Sequence, residues 1–127
     1  MNDNYYSKAV TNLNSAIILF RYAIQDETQL NVAGYHLEQA LELALKFELE
    51  MNGISYPKTH DIEFLIKLAK DGGIQLNISD YIEDHAEMFS SWESKSRYIL
   101  GYSIEYKKIE TSIKEIDEYL KKLSTLY

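Results

Sequence analysis

Apolar residues at Tyr6, Ala9, Val10, Leu13, Ala16, Ile17, Phe20, Ala23 and Ile24 recur at spacings of three and four, as on a helix with one buried face. The pattern predicts a first helix over about residues 3 to 27. A second run, Val32, Ala33, Leu37, Ala40, Leu41, Ala44, Leu45 and Phe47, is rich in strong helix formers and predicts the most buried element. It extends to Asn52-Gly53, where glycine suits the left-handed position after a helix end, and Pro57 keeps the helix from resuming through Ser55 and Tyr56. Thr59 or Asp61 then caps a shorter helix with Ile62, Leu65, Ile66 and Ala69 on its inner face, closed by Asp71-Gly72-Gly73. A fourth helix, capped from Asn77, Ser79 or Asp80, carries Tyr81, Ile82, His85, Met88, Phe89 and Trp92, with Ser90-Ser91 loosening its end. The last stripe, Tyr102, Tyr106, Ile109, Ile113, Ile116, Leu120, Leu123 and Tyr127, alternates four and three. Strand-type alternation and internal repeats are absent, so the expected fold is all-α: an antiparallel four- to five-helix up-and-down bundle, one domain over residues 1–127.

Composition narrows the setting. A chain of 127 residues, 46% hydrophobic and 26% charged, has enough apolar material for one core. The absence of cysteine removes disulfides, thiolate metal sites and cysteine nucleophiles, and suits a reducing compartment. The longest apolar run, Ala16 to Phe20, falls far short of the roughly 20 residues that span a bilayer. With no basic, apolar leader at the N-terminus, the expectation is a cytoplasmic protein off the membrane. Thirteen basic against twenty acidic residues give a net charge of -7, the wrong sign for general DNA binding. A single nucleotide or an RNA end at a local site stays open. The five lysines and five acids interleaved from Glu105 to Lys122 read as a solvated outer face.

Candidate chemistry begins on the second helix, where Tyr35, His36, Gln39, Glu42 and Lys46 share a side at helical spacing. One reading is a ligand face, with His36 and Lys46 reaching a phosphate and Glu42 orienting them; the other is a solvated face with a Glu42–Lys46 pair. His60-Asp61 opens the third helix, where Asp61 suits a cap and His60 suits either a structural role or a general base held by a carboxylate. The histidines lack metal-ligand spacing, and His85 reads as hydrogen-bonded and semi-buried. Arg97, one of two arginines, precedes Tyr98 and Gly101 at a predicted break and suits a specific phosphate or carboxylate contact. Asp71-Gly72-Gly73 lacks the lysine of a phosphate loop, and no Asp-x-Asp pair marks a transferase site, so neither a cofactor nor a metal is expected.

The order Ala33-Gly34-Tyr35-His36-Leu37-Glu38-Gln39-Ala40-Leu41-Glu42-Leu43-Ala44-Leu45-Lys46, then Asn52-Gly53-Ile54, then Thr59-His60-Asp61-Ile62 and Leu65, resembles the HEPN family. The likeness covers about residues 9 to 109 and is strongest from 33 to 66. It implies a helical bundle that commonly forms a homodimer and often acts with a separately encoded minimal nucleotidyltransferase, in some cases as a toxin-antitoxin or stress module. Many members are RNases with an arginine, four to six residues, and then a histidine across a dimer cleft. Here Arg97 is present, and Tyr102, Ser103 and Ile104 occupy the histidine positions. The Arg97-Tyr98 pair also resembles the branch without RNase activity. The resemblance therefore implies a non-catalytic nucleotide- or substrate-binding subunit, its contacts drawn from Tyr35, His36, Gln39, Glu42, Lys46, His60, Asp61, Arg97, Tyr98 and Tyr102. Two alternatives stand beside it: an RNase toxin using Arg97 with Tyr102 or a displaced His60, and a plain interaction bundle assembling through the last helix.

Overall fold

The three-and-four stripes fold as helices throughout. The computed structural model describes residues 3–23, 25–98 and 104–127, with backbone alone for residue 3 and for 94–98. Its helices are α1 (Asp3–Tyr22), α2 (Thr28–Met51), α3 (Ile62–Asp71), α4 (Asp80–Asp84), α5 (Ala86–Tyr98) and α6 (Tyr106–Leu126), and the described residues contain no strand. The all-helical bundle expected from the pattern is what forms.

Element ends follow from local hydrogen bonds. The first helix stops at Tyr22 rather than near residue 27, because Asp26 turns its carboxylate onto the N–H (3.0 Å) and hydroxyl (2.6 Å) of Thr28, the residue that opens α2. Those bonds hold the Asp26 carboxyl below its ordinary pKa. At the other end of α2, Gly53 takes φ 71°, letting Ile54 N–H reach back to Leu49 O at 2.9 Å and Gly53 N–H to Glu50 O at 3.1 Å. Gly73, at φ 77°, closes α3 the same way. Asp61 caps α3 through Phe64 N–H, and Ser79 caps α4 through Ile82 N–H. The fourth expected helix is divided at His85, whose Nδ1 donates to Tyr81 O at 2.8 Å while its ring stacks on Tyr81 at 4.0 Å. Beyond that break α5 runs through Ser90-Ser91 to Tyr98, with Ser91 Oγ donating to Met88 O and Ser90 Oγ accepting the N–H of Ile62.

Long-range contacts fix the topology. Tyr6 OH donates to Leu120 O, and Phe20 lies 4.5 Å from Tyr106, so α1 and α6 run antiparallel. Asn31 Oδ1 accepts from Ile104 N–H near the start of α2 and Tyr119 reaches Glu48 near its end, so α6 runs parallel to α2. The four longer helices, α1, α2, α5 and α6, are therefore up-and-down, with the shorter α3 and α4 between α2 and α5 in sequence. The α2 helix touches α1, α3, α5 and α6, and 14 of its 24 residues are buried. Its column Leu37, Leu41, Leu45 and Leu49 is fully enclosed, facing Phe89 and Trp92 of α5 and Ile109, Ile116 and Leu123 of α6 in one core cluster.

Candidate functional site

Because α2 is surrounded, its polar stripe lies inside the protein. Glu38, Glu42 and Lys46 stand one turn apart on a single side, and they are 0%, 3% and 8% exposed. The Glu42–Lys46 pair forms, at 3.0 Å, but the solvated face expected around it does not exist. An ion pair so enclosed must recover its dehydration through close geometry and further hydrogen bonds. His60, in the segment leading into α3, supplies one: its Nδ1 donates to Glu42 Oε1 at 2.9 Å. Lys46 Nζ also sits 5.7 Å from the Tyr56 ring centre. Glu42 is thus held by a cation on one oxygen and an imidazole on the other.

Glu38 is the residue that sequence reasoning left out. Its Oε2 accepts from Gln39 Nε2 at 2.7 Å, while its enclosed Oε1 meets no donor. Burial first, then the adjacent charge of Glu42 and a hydrogen bond shared with it, push the Glu38 carboxyl up to about 9; Glu93 on α5 adds to the rise. At neutral pH Glu38 is therefore a protonated acid and can act as a donor toward Glu42. The signal for it was its spacing of four from Glu42, which puts the two acids one turn apart on one side of the helix.

The remaining predicted residues scatter. His36 Nδ1 donates to Asn12 Oδ1 of α1 at 2.8 Å, and burial lowers its pKa. Tyr35 is half-buried, edge-on to His36 at 5.4 Å. Asp61 is spent as a cap on α3. Arg97 and Tyr98 belong to the last turn of α5, one turn beyond Glu93, with side chains outside the described residues, as is Tyr102. The structure brings Lys46 and His60 together on Glu42, with Glu38 and its partner Gln39 beside them, on a face of α2 that α5 approaches through Glu93. His60 Nε2 makes no hydrogen bond among the described residues, and its side chain is 63% exposed. No hydroxyl is hydrogen-bonded to the ring and no metal-binding group of histidines and carboxylates occurs among the described residues.

A second buried carboxylate, Glu48, accepts from Tyr119 OH at 2.8 Å and from the backbone and side-chain amides of Asn77. It ties α2 to α6 and to the α3–α4 segment, and burial first, then the charge of Glu48, push the Tyr119 phenol well above its ordinary pKa.

The fold and this seam define an all-helical bundle whose central helix buries paired acids and a lysine beside one pinned imidazole. The chain belongs to the HEPN domain family, whose model matches residues 3–126. No curated protein and no solved structure matches the chain. No helix among the described residues is long and apolar enough to cross a membrane.

Proposed function

We propose that the protein is a non-catalytic HEPN-type binding subunit that dimerises and presents a nucleotide or substrate to a separately encoded minimal nucleotidyltransferase, in a toxin-antitoxin or stress setting. The observation that carries this reading is His60, fixed by buried Glu42 at 2.9 Å and still open to solvent beside the helix that bears Arg97. An imidazole whose orientation is set in advance loses little freedom on meeting a ligand. In this reading Arg97 and His60 take the phosphate, Tyr98 and Tyr102 lie near the base, and Lys46 acts indirectly by holding Glu42. Titration of the full chain with ATP, together with native purification to detect a co-eluting nucleotidyltransferase, tests the reading. Arg97→Ala and His60→Ala should each weaken ATP binding at least tenfold. Absence of both binding and co-elution in repeated native preparations would overturn it.

The same pair favours a second reading, an RNase in which His60 is the general base. A carboxylate on Nδ1 leaves Nε2 as the basic nitrogen, the arrangement such a base requires. Cleavage of total RNA and growth arrest on expression, both lost in His60→Ala, would establish it; intact RNA and normal growth would dismiss it.

A further inference from the structure

Away from the α2 acids, α3, the segment after it, α4 and the start of α5 enclose two neighbouring clefts of about 380 and 310 Å³. Both are lined by Ile66, Lys70 and Glu83, and Lys70 and Glu83 form an ion pair. Their side chains are 65% and 39% exposed, so water screens the attraction and the pair yields easily to a competing group. The two clefts are then one trough.

The larger cleft has an apolar floor of Ile66, Ala69, Ile74, Leu76 and Ile78, and Ala86 extends it into the smaller. The segment carrying Ile74, Leu76 and Ile78 is fixed from behind, because Asn77 gives its backbone N–H and its side-chain amide to Glu48, which is 1% exposed. The walls therefore exist before any ligand arrives. Charge on the walls is one-sided: Glu63, Asp80, Glu83, Asp84 and Glu87 against Lys67 and Lys70. The rim thus carries three more acids than lysines whether the Lys70–Glu83 pair is closed or open. A nucleotide, a nucleic acid or an anionic membrane is repelled by such a rim.

We propose that this trough docks a basic amphipathic helix of a partner protein, with apolar residues at i, i+3 or i+4 and i+7 entering the clefts and flanking lysines or arginines meeting the acids. The dimensions agree: anchors seven residues apart span about 10 Å, within the roughly 15 Å length of the ten-residue α3. The surface is separate from the α2 seam and stands whether or not that seam binds a nucleotide.

The test uses the full chain and a labelled 16-residue peptide with leucines at those spacings and lysines on the flanks, followed by fluorescence anisotropy in 0.15 M salt. Saturable binding is expected, at least tenfold tighter than that of the same peptide with glutamates for lysines. The double variant Asp84→Lys/Glu87→Lys should weaken it at least tenfold, whereas the matched reversal Glu110→Lys/Glu118→Lys on α6 should change it less than threefold. All four positions are exposed, so far-UV circular dichroism should show intact helices in both variants. Absence of saturable binding, equal losses in the two double variants, or undiminished binding of a peptide with serines for leucines would each overturn the proposal.

Discussion

Replacing Glu38 by glutamine isolates the energetic effect of one buried proton. In the unfolded chain this carboxyl titrates near its ordinary value of 4.5, and in the folded chain near 9. Below 4.5 both states hold the proton and the difference vanishes. Above it the unfolded chain releases a proton that the folded chain keeps, so stability falls by about 1.4 kcal/mol per pH unit until the folded value is passed. Between pH 6 and pH 8 the wild-type chain should thus lose about 2 to 3 kcal/mol, a large fraction of the roughly 5–15 kcal/mol that holds a domain folded. Glutamine has the same shape, carries no titrating proton, and can donate its amide to Glu42. Glu38→Gln should therefore be close to wild type at pH 5 and more stable by several kcal/mol at pH 8. His36 works in the opposite sense, because burial lowers its pKa and folding gains as pH rises through its ordinary value of 6.5. That contribution is shared by both chains and cancels in their difference. Urea unfolding at half-unit pH intervals, followed through the single tryptophan, Trp92, which is 1% exposed, supplies the measurement. A difference between the two chains that stays constant from pH 5 to pH 8 would refute the reasoning.

Four further outcomes can be checked by denaturant or thermal unfolding. Lys46→Ala strands the buried Glu42 carboxylate and should cost about 3 kcal/mol, at the low end for a broken buried pair because His60 still holds one oxygen; the double variant Glu42→Gln/Lys46→Met should recover most of it. Tyr119→Phe removes a donor from Glu48 and should cost about 1–3 kcal/mol, seen as a lower urea midpoint with an unchanged slope. Gly53→Ala forces a Cβ into φ 71° with open space around it, so backbone strain alone should cost about 1 kcal/mol in the melting transition. Gly34→Val should cost more than Gly34→Ala by differential scanning calorimetry, since even a Cβ there comes within 2.3 Å of the flexible end of Ile104, and a branched side chain also presses on Trp92.

The helices were legible because a periodic apolar stripe states which residues a helix must bury. Asp61, Ser79, Gly53 and Gly73 were legible because each ends or begins an element through its own local bond or φ angle. The break at His85 was not, since the residue turns to φ -108° and ψ 20° while its N–H still reaches Tyr81 O as in a continuing helix, and nothing in the residue types at that position marks such a turn. The site was legible only in part, for a related reason. Glu42 and Lys46 paired as their spacing of four implies, and the same spacing reads identically for a helix in water and for one in the middle of a bundle.

What separates those two cases is the count of apolar faces. The α2 helix buries Ala33, Ala40 and Ala44, then Leu37, Leu41 and Leu45, then Glu38, Glu42 and Lys46 in adjoining stripes around its circumference, so the acids lie opposite the alanines and are enclosed by the elements packed on their own side. Enclosure then dictates chemistry. Two carboxyls one turn apart in a dry place cannot both be charged, so Glu38 keeps its proton while Glu42 takes Lys46 and His60. The orientation of His60, the feature from which the binding role is argued, is thus set by the enclosure of Glu42 as much as by the histidine itself.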